Sequence, residues 1–356
     1  MRELIILNYT MDKAHPVLSH QSDVAYLLSS HFDHTTVITA DSPSPYVLAN
    51  LEVISTNWSK GGRLSKTIRL VVISLPIMWK YRKSAVVFSH MTDFQSALLG
   101  PFIKILGLRH FLWYAHKTKS KYLKIANIFV DGIITSTVGS CPIQSSKVHA
   151  IGQAIDETFF RFHRGNSNSA LFNALHVGRF DQSKRIGEII SSVSDLRNTF
   201  PQLMFTQVGS PSTPSSEKVA INLTNEWQTA ISAGWLKFLP TMNRSDLPAM
   251  IPKFDVFFHA YSGSLDKTLI EATLCGLPVI TLNPEYLTEF GSWSGQLNIS
   301  MEVEYLSLVK MDENKYREEL QRRYRICVDR HTRAKWIKSL VEILVEEKQT
   351  SGGRES

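Results

Sequence analysis

The sequence has few cysteines and no long apolar segment, and each of these absences excludes a class of protein. Its three cysteines, Cys141, Cys275 and Cys327, have the spacing of neither a zinc site nor a disulfide framework, so we expect a reducing, cytoplasmic compartment. No apolar segment reaches the roughly 18–20 residues of a membrane-spanning helix. The first residues, Met1–Asn8, become polar too soon for a signal peptide and predict a β-strand instead.

Acidic residues are almost absent from one part of the chain. Between Ser59 and Lys124 the only acidic residue is Asp93, whereas the basic residues number thirteen: Lys60, Arg63, Lys66, Arg69, Lys80, Arg82, Lys83, Lys104, Arg109, Lys117, Lys119, Lys121 and Lys124. The whole chain has a formal net charge of +7. Such a positive field attracts anionic lipid, phosphorylated substrates or nucleic acid. No zinc finger or aromatic RNA-binding motif accompanies it, so we expect no nucleic-acid partner.

An apolar helical segment, Leu64–Trp79, lies inside this basic region. Pro76 predicts that the helix is broken or kinked there. The segment has two interpretations, a core helix or an interfacial helix whose apolar residues enter the headgroup layer of an anionic membrane. We favour a combination in which one face packs in the core and the basic rim faces the membrane. This predicts a peripheral protein at the cytoplasmic membrane face.

Short apolar segments alternate with helical ones along the chain, which predicts an α/β fold with parallel sheets. The 356 residues are enough for two domains. A first helix is predicted at Leu18–Phe32. The strands predicted in the first half are Leu4–Leu7, Thr36–Thr39, Leu51–Ser55, Ala85–Ser89, Phe111–Ala115, Gly132–Thr135 and Val148–Ile151.

No Gly-x-Gly-x-x-Gly motif follows the first strand, which argues against a dinucleotide site there. Polar residues follow several strands instead, at the edge of a parallel sheet where ligands bind. Asp12 and His15 follow the first strand and His90 follows the fourth, and we predict that these three bind an acceptor. His116 follows the fifth strand. A surface loop with incidental histidines, or a structural histidine, is an equally good interpretation of each taken alone.

The segment Asp255–Thr281 predicts a strand, a loop, a helix and a second strand. The loop would bring the N-terminus of the helix to the carboxyl edge of a sheet, where unpaired N–H groups favour a phosphate. Ser264 or Asp266 could cap this helix. Glu271, one turn further in, could accept hydrogen bonds from sugar hydroxyls. On spacing alone, an ordinary crossover with a solvated glutamate is equally plausible.

A second loop carries two cations. A strand ends near Val177, Gly178 permits a tight turn, and Arg179 and Lys184 follow. These cations suit a pyrophosphate, because arginine binds two oxygens at once and lysine acts as a point charge. They would also stabilise a leaving diphosphate. The alternative is a solvated loop with ordinary charges.

These segments resemble the nucleotide-binding motifs of group 1 glycosyltransferases with the GT-B fold. The family pattern of a glutamate and alanine followed by Gly-x-Pro-Val-Ile is matched by Glu271–Ile280, and Gly178–Lys184 matches G-R-hydrophobic-x-x-x-K. Lys147–Asp156 resembles the segment that ends the family's first domain. One residue departs from the pattern, because the family's first glutamate, which contacts the transferred sugar, falls on Gly263.

The resemblance implies two Rossmann-like domains facing each other across a cleft. Residues 1–160 would bind the acceptor, residues 161–333 would bind a nucleotide-diphosphate sugar, and residues 334–356 would form a helix returning to the first domain and a disordered tail. It also implies hexosyl transfer with retention at the anomeric carbon, without metal or cofactor. The acceptor would be a glycan or lipid-linked precursor of the cell envelope.

The resemblance also assigns roles to residues. His116 would lie near the donor sugar and, with Arg179 and Lys184, form the catalytic set, while Glu271 would bind the ribose. The full set of implied donor-binding residues is Gly178, Arg179, Lys184, Gly209, Ser264, Leu265, Asp266, Lys267, Thr268 and Glu271. Two alternatives remain. Gly263 favours a relative that binds a nucleotide sugar without transferring it, and the basic segment favours a nucleic-acid-binding protein.

Overall fold

The computed structural model describes residues 2–13, 15, 18–42, 48–163, 167–296 and 299–346. The chain divides into two units, Met1–Ile151 with Ile337–Ser356 as unit 1 and Gly152–Trp336 as unit 2. Each unit contains one parallel β-sheet with helices packed on it, so the predicted pair of Rossmann-like α/β domains is confirmed. The C-terminal tail predicted from the sequence falls on residues 347–356, which lie outside the described residues.

Unit 1 is built on a seven-stranded sheet with the order β3-β2-β1-β4-β5-β6-β7. The strands are β1 (Glu3–Thr10), β2 (His34–Asp41), β3 (Leu51–Ser55), β4 (Ala85–His90), β5 (Arg109–Trp113), β6 (Gly132–Thr135) and β7 (Val148–Ala150). All seven predicted strands are present. The central strands β1, β2, β4, β5 and β6 are buried along most of their length, as expected of parallel strands covered by helices. The edge strands β3 and β7 are more exposed.

The helices of unit 1 are α1 (Ser19–Ser29), α2 (Arg63–Lys80), α3 (Asp93–Ile105), α4 (Lys121–Phe129) and, from Ile337 onward, α13 (Arg333–Val345). Arg109 at the start of β5 fixes the end of α13, because its guanidinium donates hydrogen bonds to the carbonyls of Leu344 and Glu346. A cation at this position also opposes the negative end of the helix dipole.

Helix α2 differs from the prediction, because it continues through Pro76 without a break. The proline removes the hydrogen bond to the carbonyl of Val72, a residue on the exposed side of the helix where water can take the place of the missing donor. One side of the helix packs in the core through Leu70 and Met78, as predicted. The other side is apolar and exposed.

Unit 2 is built on a five-stranded sheet with the order β10-β9-β8-β11-β12. The strands are β8 (Asn173–Val177), β9 (Met204–Val208), β10 (Leu236–Leu239), β11 (Val256–His259) and β12 (Val279–Thr281). Successive side chains of β11 pack in different apolar clusters, because side chains alternate across a sheet. Val256 and Phe258 belong to the cluster on one face, and Phe257 belongs to the cluster on the other. The helices are α5 (Ile186–Arg197), α6 (Pro214–Glu226), α7 (Gln228–Ser232), α8 (Leu247–Met250), α9 (Lys267–Leu274), α10 (Pro284–Phe290), α11 (Met301–Val309) and α12 (Glu313–Arg330).

Each sheet has a point at which the strand order reverses. In unit 1 this point lies between β1 and β4, and in unit 2 it lies between β8 and β11. Ligands of open α/β sheets bind outside the carboxyl ends of the strands at such a point. The loops after β1, β4, β8 and β11 are therefore where a ligand is expected.

The remaining expectations about composition concern cysteines and membrane spans. Cys141, Cys275 and Cys327 are all buried as free thiols. Within the described ranges, no helix combines the length and apolar character needed to cross a bilayer.

Candidate functional site

The loop after β11 brings the N-terminus of α9 to the sheet edge. Asp266 caps the helix, since its carboxylate accepts a hydrogen bond from the Thr268 N–H over 3.4 Å. The buried amide of Asn283 holds the loop by donating to the carbonyls of Tyr261 and Ser264 at 2.9 and 3.2 Å. The first turn of α9 is thereby presented in a fixed orientation, with unpaired N–H groups typical of a helix start.

Lys184, from the loop after β8, reaches the same place. Its ammonium forms an ion pair with the carboxylate of Asp266 and lies 4.3 Å from the centre of the Tyr261 ring. His259 at the end of β11 places Nε2 3.4 Å from the same carboxylate oxygen. Burial raises the pKa of Asp266, but the charge of Lys184 and the hydrogen bond from His259 outweigh it and hold this pKa well below its usual range.

Two glycines allow the loops after β8 and β9 to approach closely. Gly209 has a φ of +143°, and a Cβ at this position would lie 2.1 Å from the carbonyl oxygen of Gly178. Gln207 donates to that carbonyl over 2.6 Å. Arg179 follows Gly178, is exposed, and contacts Ser212 Oγ at 3.4 Å. Its guanidinium is therefore held loosely at the edge, where an anion could bind it.

Glu271 lies in the second turn of α9 and is fully buried. One carboxylate oxygen accepts a hydrogen bond from Arg244, whose own side chain is 58% exposed. The other oxygen has no hydrogen-bond partner within the described part of the chain. Burial raises the pKa of Glu271, while Arg244 and Lys267 oppose this rise. An unfilled acceptor oxygen in this position suits a hydroxyl donor.

The departure from the family pattern at Gly263 has a physical explanation. A Cβ at this position would lie 2.0 Å from both Cζ and Oη of Tyr261. The tyrosine ring therefore occupies the space in which a longer side chain at position 263 would begin. The same ring lies under the ammonium of Lys184, so Tyr261 and Gly263 form one local arrangement.

The other predicted donor residues separate into two kinds. Lys267 and Thr268 lie in the first turn of α9, next to Asp266. Ser264 and Leu265 are buried, and the Leu265 side chain packs in the apolar core of unit 2. Leu265 can offer a ligand only its backbone, and its carbonyl already accepts a hydrogen bond of 2.7 Å from Gln153.

A comparison with protein families identifies this region. Residues 159–290 match the family model described as glycosyl transferases group 1. The matched segment contains Arg179, Lys184, Glu271 and the whole loop before α9. The resemblance to the group 1 glycosyltransferases predicted from the sequence is therefore confirmed over these residues.

Solved structures show the same fold over nearly the whole chain. Anabaena HepE with UDP-glucose superimposes with a TM-score of 0.71 at 14% identity, covering 97% of this chain and 100% of that one. Sucrose-phosphate synthase from Thermosynechococcus elongatus gives 0.69 at 13% identity, covering 96% and 98%. An E. coli trehalose-6-phosphate protein with UDP-2-fluoro glucose gives 0.69 at 11% identity, covering 97% and 99%. No curated protein sequence matches this chain.

In unit 1, the four residues with predicted acceptor or catalytic roles follow the neighbouring strands β1, β4 and β5. The Asp12 N–H donates to Thr10 Oγ1 over 3.0 Å, and His15 Nδ1 accepts from the Leu18 N–H over 3.0 Å. Residues 14, 16 and 17 of this loop lie outside the described residues. The buried ring of His90 lies 5.4 Å from that of His20. His116 is exposed, and its ring lies 6.0 Å from that of Tyr114.

Several residues at the two edges were missed in the sequence. Asp93 begins α3, accepts a hydrogen bond from Ser120 Oγ, and contributes to the raised pKa values of Tyr9 and Tyr114. Burial is the larger cause for both, and it brings the pKa of Tyr114 to about 12. The sequence could have indicated Asp93, because it is the only acidic residue of the basic segment Ser59–Lys124. In unit 2, Arg244 and Tyr261 had no such signal.

A metal site was not predicted from the sequence. Across the described ranges, no three His, Cys, Asp or Glu side chains come together in a way that would hold a metal ion. The positive groups at the edge of unit 2 are Arg179, Lys184 and the start of α9.

Proposed function

We propose that the protein transfers a hexose from a nucleotide-diphosphate sugar to a glycan or lipid-linked acceptor. The observation that carries this proposal is that Lys184 pairs with the N-cap of α9 and that Glu271 lies one turn further along this helix, where the strand order of unit 2 reverses. Arg179 lies on the same loop as Lys184, after β8. Two cations and a helix N-terminus suit a diphosphate, and a buried carboxylate suits the ribose. The names of the similar structures, with UDP-glucose and UDP-2-fluoro glucose, support a uridine nucleotide as the first donor to test.

In the proposed reaction, the bond between the anomeric carbon and the diphosphate breaks with its electron pair remaining on the diphosphate oxygen. An acceptor hydroxyl forms the new bond on the same face of the sugar and releases its proton to the departing diphosphate. Arg179 and Lys184 lower the barrier by stabilising the charge that develops on this leaving group. Positioning of the two substrates supplies the remaining catalysis, without a metal or other cofactor.

We assign acceptor binding to the edge of unit 1. Asp12, His15 and His90 follow β1 and β4 at the point where the strand order reverses, and His116 follows the next strand. Histidine and carboxylate side chains suit the hydroxyl groups of a glycan. In this proposal His116 lies near the donor sugar.

We further propose that unit 1 binds an anionic membrane, as a cytoplasmic protein that acts on a cell-envelope precursor. Its support is the exposed apolar side of α2, which carries Leu64, Ile68, Val72 and Trp79. Arg82 stacks 4.1 Å above the Trp79 ring, so a cation and an aromatic ring lie together at the end of this surface. Apolar and cationic groups side by side are typical of interfacial helices.

The test is an assay of UDP-glucose turnover, with and without lipid-linked acceptors, in the wild type and in Arg179→Ala. We expect release of UDP by the wild type and its loss in the variant, whose fold should be intact because Arg179 is exposed. A screen of UDP, GDP and ADP by thermal stabilisation identifies the base, since a bound ligand raises the melting temperature. Absence of stabilisation by all three would contradict the proposal.

A second function remains open, namely binding of a nucleotide sugar without transfer. The observation that favours it is Gly263, where the carboxylate that contacts the sugar in the family is replaced by the ring of Tyr261. Under this alternative, UDP-glucose would stabilise the protein but would not be consumed with any acceptor. The nucleic-acid alternative predicts binding to RNA or DNA by the basic segment, independent of Arg179.

A further inference from the structure

The donor site of unit 2 contains an anion of its own. Asp266 occupies the N-cap of α9, and its carboxylate forms the ion pair with Lys184. The side chains of Asp266 and Lys184 are 17% and 15% exposed, so solvent screens this pair only weakly. A carboxylate therefore lies where two features of the site, the cation and the helix N-terminus, would otherwise attract a phosphate.

We propose that Asp266 is a specificity-determining residue that makes the site favour a nucleotide sugar over the free nucleoside diphosphate. This inference rests on the proposed function. The two ligands differ at the second phosphate. Joined to a sugar, this phosphate carries one ionisable oxygen, whereas as a free terminal phosphate it carries about 1.5–2 negative charges near neutral pH. A fixed negative charge at the helix N-terminus repels the free nucleoside diphosphate more strongly than it repels the nucleotide sugar.

The surroundings keep Asp266 ionised. Lys184 and His259 both contact its Oδ2, and together they hold its pKa well below the usual range despite burial. His259 is itself fully buried, and its Nδ1 lies 3.1 Å from Thr281 Oγ1. The carboxylate is therefore a permanent charge of the site rather than one that changes near neutral pH.

The arrangement also bears on the end of the reaction. When the sugar has left and the proton taken from the acceptor has dissociated into solvent, the diphosphate carries one more negative charge, on the oxygen to which the sugar was bonded. Lys184 and Arg179 stabilise this charge, while Asp266 competes with the diphosphate for Lys184. The product is then bound less tightly than two cations alone would bind it, and Asp266 favours its release.

The test compares dissociation constants for UDP and UDP-glucose in the wild type and in Asp266→Asn, measured by calorimetry. Asparagine is an equally good N-cap, so α9 retains its cap while the charge is removed. We expect UDP to bind about tenfold more tightly to the variant and UDP-glucose to gain distinctly less. The ratio of the two constants is decisive, because a merely structural role would change both equally.

Asp181→Asn is the matched control. Asp181 also caps a helical turn at this edge, accepting from the Ser183 N–H over 2.9 Å, and the substitution removes the same charge. We expect it to change the ratio much less, because the Asp181 carboxylate bonds Ser183 and acts on Arg179 and Lys184 only through its charge. An equal change of the ratio in both variants would show a general charge effect and overturn the role of Asp266.

The remaining outcomes separate this inference from the proposed function. If UDP and UDP-glucose both bind the wild type but weaken together in Asp266→Asn, then Asp266 only positions Lys184. The proposed function would stand and the inference would be wrong. If neither protein binds UDP, GDP, ADP or their glucose conjugates, both fail. Binding by the variant alone would support the inference strongly.

Discussion

The two units carry their charge in different places. In unit 1, most of the thirteen basic residues lie on α2 and on the segments that follow it, while the sheet edge presents His90, His116 and the carboxylates of Asp12 and Asp93. In unit 2, cations and carboxylates meet at the sheet edge itself, as the ion pairs Lys184–Asp266 and Arg244–Glu271. The two edges have the same topology and different electrostatic character.

This difference shows what the fold determines and what it does not. The reversal of strand order creates an open sheet edge in each unit, whichever side chains the surrounding loops carry. The charges then decide the ligand class, because cations at a helix start suit a diphosphate and neutral polar groups suit hydroxyls. The substitutions below test whether the two edges differ in this way.

Lys184→Ala should have the largest effect, because it removes a cation and leaves the carboxylate of Asp266 partly buried without its main partner. Breaking such a pair costs roughly 3 kcal/mol of folding free energy, in addition to the loss of diphosphate binding.

Arg179→Ala should change the free energy of unfolding by no more than about 0.5 kcal/mol, because Arg179 is exposed. It should cost roughly 1.5–3 kcal/mol of diphosphate affinity. Urea unfolding and calorimetry measure the two quantities separately.

Uridine is the control ligand for both variants, since it lacks the diphosphate and should bind nearly as it does to the wild type. If Arg179→Ala and Lys184→Ala both left the affinity for UDP unchanged, neither residue would belong to the donor site. The charges at the two sheet edges would then not explain which ligand each unit binds.

The basic surface of unit 1 provides the second test. Replacing Lys80, Arg82 and Lys83 together by Gln should reduce binding to vesicles with acidic lipid by about a hundredfold, since each cation near an anionic surface adds to the attraction. Added salt should weaken the binding of the wild type within the same assay. Binding of UDP should not change. Neutral vesicles should bind neither protein.

Two further variants sharpen this test. Changing Lys218, Lys310 and Lys315 of unit 2 to Gln alters the net charge equally, and vesicle binding should be retained. Changing Leu64, Ile68 and Val72 to Gln removes the exposed apolar surface at constant charge, and binding should fall. Equal, poor binding of all proteins to acidic and neutral vesicles at low salt would exclude the membrane, and RNA binding by the same set would favour nucleic acid.

The sequence predicted the strands, the two parallel sheets and the glycosyltransferase motifs, because these depend on local patterns. The apolar run Val256–His259 and the spacing of Lys267–Leu274 are complete within one segment. The sequence could not predict which charged side chains form ion pairs with each other. Asp266 and Lys184 lie 82 residues apart, as an ion pair that only the neighbouring position of β8 and β11 creates.

Two other differences have the same origin. The continuity of α2 through Pro76 depends on which side of the helix faces solvent, and the sequence alone gives no such orientation. The space at Gly263 depends on the position of the Tyr261 ring, which is fixed by its packing with Lys184. The roles assigned to His116, Asp12, His15 and His90 stay predictions.

Glu271→Gln is the third test, with an effect of about tenfold. Glutamine fills the same space but gives up the charge-assisted hydrogen bond to the ribose, which contributes roughly 1.5 kcal/mol. A 2′-deoxy or 3′-deoxy UDP should therefore lose less affinity in the variant than in the wild type. Equal losses in the two proteins would show that Glu271 does not contact the ribose. Asn283→Asp is not a suitable control for Glu271→Gln, because the Asn283 amide holds the loop before α9 by donating to the Tyr261 carbonyl, and aspartate would lose this hydrogen bond.

The smallest expected effect concerns Arg244, which covers Glu271 from the exposed side. Burial raises the pKa of Glu271 above its ordinary value of 4.5, so the folded protein binds more protons than the unfolded chain between these two pKa values. Stability therefore falls as the pH rises through this range. Arg244 opposes the shift, and Arg244→Gln should raise the pKa of Glu271 further.

The variant should consequently lose more stability than the wild type between pH 4.5 and neutral pH, and least below pH 4.5, where Glu271 is protonated in both states. The difference should reach only about 0.5–1 kcal/mol, because Arg244 is more than half exposed and solvent screens its charge. Urea unfolding at several pH values measures it. In a Glu271→Gln background the same substitution should have no pH-dependent effect. Parallel curves for the wild type and Arg244→Gln would mean that Arg244 does not influence Glu271, and that the other groups around Glu271 determine the charge of this carboxylate, which we propose binds the ribose.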